Sequence, residues 1–329
     1  MNGSVIIPMY NAGETIRDCL NALENQTHRD FEVVVVDDGS KDDSKRIVEE
    51  FAKATNLRFM ILSQENRGPA AARNLGVSKV SGDVVIFLDS DCISSKNWLA
   101  EMIKPFERGD VVGVQGAYET LNSESLVARY VGYEIAHRHG SMVSQEFVDW
   151  VASFSAAYNR KVFLDEGGFD VSFREANAED AEFSFRLRKK NYKLVFNPKA
   201  VVAHFHPSTL YSYLRQQFFR GFWRIPMYLK HKTKLVKDSY TGSGIFIQAL
   251  LSSLLFLSLL LLSIPWILVF FMLILLSNLP LGLFCFKQEK KFLLIAPVLA
   301  SLRSLVGLLV ALYGVLFFFF LKPFQRCVS

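Results

Sequence analysis

Two aspartates stand one residue apart in Phe87-Leu88-Asp89-Ser90-Asp91, directly after the apolar run Val84 to Leu88. Carboxylates at i and i+2 beyond a buried strand can share one divalent cation and a sugar hydroxyl, and such a cation neutralises clustered phosphate charge. A second acidic pair, Asp37-Asp38, follows four consecutive valines and precedes Gly39-Ser40, a turn that aims a carboxylate beyond the strand end. A third, Glu179-Asp180, opens the amphipathic segment Ala181 to Lys190, where the positive end of a helix stabilises negative charge. A carboxylate so placed can take a proton from a hydroxyl group within hydrogen-bond reach. Arg67 and Arg73 bracket a helix start, so Arg73 can meet a diphosphate or enter an ion pair. His204 and His206 follow the short strand Val201 to Ala203 and point the same way if that strand continues.

These groups need a scaffold that brings distant segments together. β-branched runs at Val5-Ile6-Ile7, Glu32 to Asp37, Phe59 to Leu62 and Val84 to Leu88 predict strands. Ile16, Leu20 and Leu23 recur at helical spacing between the first two, and Ile47, Phe51 and Ala54 between the next two. Pro69 suits the N-terminus of a helix over Ala70 to Lys79, where its missing amide has no partner to lose. Such alternation predicts an α/β fold with a mainly parallel sheet. Ligands of open α/β sheets bind outside the carboxyl ends of the strands. Pro8-Met9-Tyr10-Asn11, Asp37 to Ser40 and Asp89-Ser90-Asp91 occupy three such ends.

In this order, Ser4 to Asn11 (SVIIPMYN), Val34 to Ser40 (VVVDDGS), Asn66 to Gly76 (NRGPAAARNLG) and Phe87 to Asp91 (FLDSD) resemble family 2 glycosyltransferases of the GT-A fold. Gly167-Gly168-Phe169-Asp170 and the run from Ala178 through Phe196-Asn197-Pro198 continue the likeness, which covers roughly residues 3 to 225. The resemblance implies an inverting, metal-dependent hexosyltransferase-type enzyme that uses a nucleotide-diphospho-sugar and a divalent cation, Mg2+ or Mn2+. It assigns nucleotide binding to Pro8, Tyr10, Asn11, Asp38, Arg73 and Asp89, with Asp38 on a uracil-type imide and Pro8 and Tyr10 flanking the base. It assigns Asp91 as direct metal ligand, Asp89 to the nucleotide sugar or the metal through water, and His204 as a further ligand in preference to His206. Asp180 matches the family's base position, Glu179 orients the acceptor or the base, and Gly168 lies on the acceptor side. Gln216-Gln217-Phe218-Phe219-Arg220-Gly221 resembles the Gln-x-x-Arg-Trp element of processive polysaccharide synthases. Gly221 replaces its tryptophan, which points to one sugar added per encounter, with Gln217 and Arg220 acceptor-side or interfacial.

The chain has 329 residues, half of them hydrophobic, which excludes a disordered tail or a disulfide miniprotein. Cys19, Cys92, Cys285 and Cys327 follow no metal-module or disulfide spacing. Charge is strongly uneven. Residues 1–198 hold 23 Lys/Arg against 30 Asp/Glu, residues 199–242 hold 8 against 1, and residues 243–329 hold 6 against 1. An acidic globular part thus joins an apolar tail through a basic collar, a pattern for anionic lipid headgroups rather than nucleic acid. Gly244 to Phe286 contains no charged residue over 43 positions, whereas one spanning helix needs about 20. Two spans are expected, turning at Ser263-Ile264-Pro265. Beyond Lys287 to Lys291, Phe292 to Leu302 is expected to be interfacial, Arg303 to lie at headgroup depth and Ser304 to Leu321 to form a third span. The Lys230 to Lys237 and Lys287 to Lys291 clusters place that side and the globular part in the cytoplasm, while Lys322 and Arg326 fall outside.

The domain expectation is a GT-A domain over 1–210, with a nucleotide-binding half over 1–110 and an acceptor half over 111–210. A basic amphipathic segment over 211–242 and a transmembrane part of about three spans over 243–329 follow. The expected acceptor is a membrane lipid or lipid-linked saccharide, at the cytoplasmic face of a cell membrane. The alternative is a membrane scaffold or binding protein of the same fold that has lost transfer.

Overall fold

The computed structural model describes residues 1–173, 178–231, 244–315 and 317. Strands and helices alternate through β1 (Gly3–Met9), α1 (Ile16–Glu24), β2 (Phe31–Asp37), α2 (Ser44–Ala54), β3 (Arg58–Ser63), α3 (Pro69–Lys79) and β4 (Val84–Leu88). There follow β5 (Cys92–Ser94), α4 (Trp98–Ile103), β6 (Val111–Thr120), α5 (Leu126–Val143), β7 (Ser155–Asn159), α6 (Arg160–Asp165), α7 (Glu179–Lys189) and β8 (Lys193–His204). The remainder is helical: α8 (Leu210–Lys230), α9 (Gly244–Leu260), α10 (Ile264–Ser277), α11 (Leu279–Gln288) and α12 (Phe292–Val315). The chain divides into two compact units, Met1–Leu121 with His139–Phe205, and Asn122–Arg138 with His206–Ser329.

The first unit is built on one eight-stranded sheet in the order β3-β2-β1-β4-β7-β6-β8-β5. β3, β2, β1 and β4 run parallel, and β7 is antiparallel to both β4 and β6. The fold is therefore α/β, as the alternation predicts, on a mixed sheet whose first four strands are parallel. Val5, Ile7, Val33 and Val35 alternate onto one face and pack with Ile16, Leu20 and Leu23 of α1 and Ile47, Val48 and Phe51 of α2. Each such side chain, fully buried, contributes roughly 1.5–3 kcal/mol. Ala54 departs from the expected stripe: it is exposed, and Val48 takes its place. On the other face α3 lies close to the sheet because Gly76 lacks a side chain; a Cβ there would sit 2.5 Å from Ile6 Cγ2. Phe87, Tyr158, Phe163, Phe169 and Phe183 form an aromatic cluster that seats α6 and α7. The strand expected at Val201 to Ala203 is the end of the much longer β8.

In the second unit α9 and α10 are joined by a turn at Leu261 to Ser263, with Leu262 left-handed at φ +50°, where the proline predicts it. The expected second span is broken. α10 and α11 meet at 46°, because Pro280 opens α11 and cannot continue the hydrogen-bond ladder of α10. Arg303 does not divide the next segment as expected. Phe292–Val315 is one continuous helix, in which Arg303 forms an ion pair with Glu134 and donates to Gln248 Oε1 at 3.4 Å. A charge matched by an inward-facing carboxylate does not need to reach headgroup depth. Among the described residues one helix, Phe292–Gly314, is long and apolar enough to cross a bilayer, or two segments if the bent α10–α11 pair counts as one. Residues 232–243, 316 and 318–329, which hold most of the Lys230 to Lys237 cluster, the end of the third span, Lys322 and Arg326, lie outside the described residues.

Candidate active site at the carboxyl edge of the sheet

The loops after β1 and β2 are tied to each other before they can hold anything else. Asn11, left-handed at φ +49°, donates its amide to Ser40 Oγ at 3.0 Å and accepts from the Lys41 amide at 2.8 Å. Asp37 Oδ1 accepts from the Ser40 amide at 3.0 Å, so the first acid of that pair caps the turn. Asp38 points away from it. Its Oδ1 accepts from Gln64 Nε2 at 2.6 Å and the Arg67 amide at 2.9 Å, and its Oδ2 from the Gly68 amide at 2.8 Å. Asp38 thereby fixes the segment that leads into α3. Pro8, Tyr10, Asp38, Arg73, Asp89 and Asp91 all line one cavity of about 370 Å3. Asn11 is not among its lining residues; it braces the loop that carries Tyr10.

Arg73 organises the acids of this cavity. It is 1% exposed, donates from Nη2 to Asp89 Oδ1 at 2.7 Å and from Nη1 to Glu179 Oε1 at 2.8 Å, and lies 6.0 Å from the Phe169 ring centroid. Its buried Nε has no hydrogen-bond partner among the described residues. Burial raises the Asp89 carboxyl, and Asp91 raises it further while Arg73 opposes both. Burial, followed by the charge of Asp180, pushes Glu179 up to about 7 against the pull of Arg73.

The register of β5 on β8 pairs Cys92 with His204 and so delivers His204 to the acidic turn. His204 Nε2 lies 3.1 Å from Asp91 Oδ2. Burial raises the Asp91 carboxyl, but the hydrogen bond and charge of His204, together with hydrogen bonds from its own backbone amide and Cys92, leave the group below its ordinary value. Ligand atoms of Asp91, Cys92 and His204 all lie within 4.8 Å of one another. Burial, reinforced by Asp91 and Asp89, pushes the Cys92 thiol well up. A soft sulfur suits a hard divalent cation poorly, so the donors that fit one are the Asp91 carboxylate and the His204 imidazole. β8 ends at His204, and His206 does not continue its alternation; its amide donates to Asn122.

Asp180 and Glu179 are neighbours on α7 and face different ways. Glu179 is buried on Arg73, so it does not orient an acceptor by touching it. Asp180 is half-buried, accepts from the Ser153 amide at 3.0 Å through Oδ2, and accepts from the Ala181 amide through Oδ1. Asp180 is not in the lining of the cavity, but Ser153 precedes Phe154, whose carbonyl accepts from the Asp89 amide at 3.2 Å. Gly168 sits in a turn at φ +66°, where a Cβ would lie 2.7 Å from Asn74 Oδ1. Asn74 accepts from the Phe169 amide and donates to its carbonyl, and Arg186 donates to the Gly168 carbonyl at 2.6 Å. The Gly-Gly-Phe turn therefore ties α3 to α7. Gln217 and Arg220 line a separate cavity, in the second unit.

Sequence reasoning missed Gln64, Asn74 and Ser153. Asn74 directly follows Arg73 inside a string already singled out, which is a usable signal. Gln64 lies in a loop without pattern, and Ser153 acts through its backbone amide, which no residue type reveals.

The glycosyl transferase family 2 profile matches residues 4–167, a span holding the Asp37-Asp38 and Asp89-Ser90-Asp91 turns and α3. Glycosyltransferase AglE of Haloferax volcanii is 30% identical over 226 residues, 66% of this chain and 70% of its own. The pre-mycofactocin glycosyltransferase of Mycobacterium tuberculosis is 28% identical over 254 residues, 76% of this chain but about half, 52%, of its own length. Among solved structures, the mannosyltransferase PcManGT from Pyrobaculum calidifontis, in complex with GDP-Man and Mn2+, superposes with a TM-score of 0.66 at 20% identity, over 95% of this chain and 87% of that one. GalNAc-T7 with UDP, GalNAc and Mn2+ gives 0.53 at 19% identity, over 68% of this chain and 50% of that one. These two likenesses concern the fold. The relationship to AglE, 30% identical and covered over 70% of its length, together with the profile match, makes this chain a member of glycosyl transferase family 2, a glycosyltransferase.

Proposed function

We propose that the protein transfers a sugar, with inversion, from a nucleotide-diphospho-sugar to a membrane lipid or lipid-linked saccharide. The observation that carries this reading is the convergence of Asp38, Arg73, Asp89 and Asp91 on one cavity, with Arg73 joined through Glu179 to the helix that bears Asp180. Pro8 and Tyr10 flank the base, Asp38 faces its edge, and Arg73 attracts the diphosphate. Asp91 and His204 would hold a divalent cation, Mg2+ or Mn2+, with Asp89 beside them; when bound, such a cation neutralises charge on the departing diphosphate. The Mn2+ bound in the two structural neighbours supports that part of the reading.

Asp180 takes the proton of the acceptor hydroxyl as the new bond forms. Its hydrogen bonds from the Ser153 and Ala181 amides fix the rotamer while leaving lone pairs on both oxygens. Glu179 acts through Arg73 as a positioning residue. The apolar α12 and the bent α10–α11 pair attach the protein to the membrane. Lys287, Lys290 and Lys291 favour the cytoplasmic side for the α11–α12 turn.

The test is Asp180→Asn, assayed with nucleotide-sugar and membrane extract. Transfer is expected to fall by about 10²–10⁴-fold, while donor binding persists. Undiminished turnover removes Asp180 as the base. Mass spectrometry of lipid-linked products from cells with and without the protein tests the acceptor class, and a product absent from the lipid fraction overturns it.

A further inference from the structure

Between Trp150 and β7 the chain crosses the interior of the first unit without regular structure, and Val151, Ser153 and Phe154 are buried. Buried irregular backbone has to find partners for its polar groups outside a helix or ladder. Here they come from α7, from the sheet and from the acidic turn. The Val151 amide donates to Ser184 Oγ at 3.0 Å, and its carbonyl accepts from Tyr158 Oη at 3.4 Å. The Ala152 amide donates to Gln115 Oε1 at 3.1 Å and the Ser153 amide to Asp180 Oδ2 at 3.0 Å, while the Phe154 carbonyl accepts from the Asp89 amide. Residues 151–154 are therefore a strut, with one end on the helix that carries Asp180 and the other on the turn that carries Asp89 and Asp91.

Two side chains that grip this strut have no other place in the reaction. Ser184, wholly buried on α7, donates its Oγ to the Asp180 carbonyl at 2.7 Å while it accepts from Val151, so it ties the strut to the backbone of the residue that the strut braces. Gln115 is wholly buried on β6, and its Nε2 has no hydrogen-bond partner among the described residues. A buried amide with an unused donor is unfavourable, and an apolar side chain of the same length avoids that cost. What the glutamine supplies in return is the acceptor for the Ala152 amide.

We propose that Gln115 and Ser184 are positioning residues for the transfer, and that through residues 151–154 they set the place of the Asp180 carboxylate relative to the Asp89–Asp91 turn. The proposal rests on Asp180 as the base, put forward above. A second link already joins these elements, since Arg73 bridges Asp89 and Glu179. The two links differ in what they hold. Arg73 fixes α7 through the neighbouring acid, whereas the strut bonds the Asp180 carboxylate itself. Loosening the strut therefore leaves the fold and the donor side in place and moves the base away from its proton. A misplacement of about 1 Å in a reacting group costs on the order of 100-fold in rate.

The experiment uses the full chain in detergent, with GDP- and UDP-hexoses as donors and membrane extract as the source of acceptor. Gln115→Met, Ser184→Ala and Asp180→Asn are compared singly, and each of the first two is also combined with Asp180→Asn. Gln115→Met and Ser184→Ala are each expected to lower kcat by about 10–100-fold, with the donor KM within about twofold of wild type and the thermal midpoint within about 4 °C. In the Asp180→Asn background neither is expected to lower the residual rate further, because both act through that carboxylate. An equal loss in both backgrounds, or a loss that travels with the donor KM and the midpoint, overturns the proposal. So does a folded variant of either kind that transfers at the wild-type rate. Ser184→Ala deletes a single oxygen, which keeps the test decisive if Gln115→Met does not fold. Asp180→Asn that transfers like wild type refutes the base and the positioning with it. Loss of transfer in Asp180→Asn beside wild-type rates in the other two refutes the positioning alone.

Discussion

Removing the Arg73 side chain is the most informative single perturbation, because one buried group holds two carboxylates that lie 90 residues apart in sequence. In Arg73→Ala both Asp89 and Glu179 lose their hydrogen-bonded countercharge, and Glu179 is left fully enclosed. Breaking a buried ion pair from one side costs about 3–5 kcal/mol, mostly as the desolvation of the partner left behind. Arg73→Lys keeps the charge but cannot fork, so it loses one charge-assisted bond, about 1.5–3 kcal/mol. Urea unfolding of the full chain in detergent, followed by the fluorescence of buried Trp98 and Trp150, measures both. The decisive comparison is Glu179→Gln in the Arg73→Ala background. It removes one orphaned carboxyl group, which above its ordinary value must be either buried charged or held protonated at a cost, and should recover about 1–3 kcal/mol. If Arg73→Ala unfolds within about 1 kcal/mol of wild type, well below the range for a broken buried pair, or the second change recovers nothing, the clasp is not what holds α7 to the donor edge.

His204→Ala should raise the Mn2+ concentration for half-maximal transfer by about 10–100-fold with little change in thermal stability, and Asp91→Asn should act in the same direction; a metal titration of each variant checks this. Gly168→Ala forces a side chain at φ +66° against Asn74 and should cost about 1–3 kcal/mol in urea unfolding. Glu179, raised to about 7 by burial and by Asp180, gives stability that is complete below its ordinary value of 4.5 and is lost as pH rises through about 7. Thermal melts from pH 5 to 8 should show this arm in wild type and not in Glu179→Gln, and an identical slope in both refutes the assignment.

The first half of the catalytic unit is legible because local pattern and global position agree there. Val84–Leu88 is bounded as its β-branched run predicts, and Pro69 opens α3. β7 is not, since Ser155, Ala156 and Ala157 are small and its place between β4 and β6 depends on partners distant in sequence. Asp91 and His204 can be named as metal ligands from resemblance, yet their meeting depends on the β5–β8 register. The different duties of Glu179 and Asp180 are illegible for another reason. Adjacent helix positions point about 100° apart, and only the packing of α7 decides which acid turns inward. In the helical unit, composition gives the apolar runs, but a proline at 280 and a carboxylate at 134 decide where helices bend or continue.

The reversed direction of β7 has a consequence for how such enzymes diversify. Because β7 runs against β4, the chain reaches the donor edge before the strand begins, and Ser155 pairs with Leu88 at that edge. Residues 144–146 are exposed and can therefore lengthen, shorten or change character, while Ser153 and Phe154 stay tied to Asp180 and Asp89. Under the proposed transfer, selectivity for the receiving molecule would then be an interchangeable part, mounted beside a fixed socket for the activated sugar.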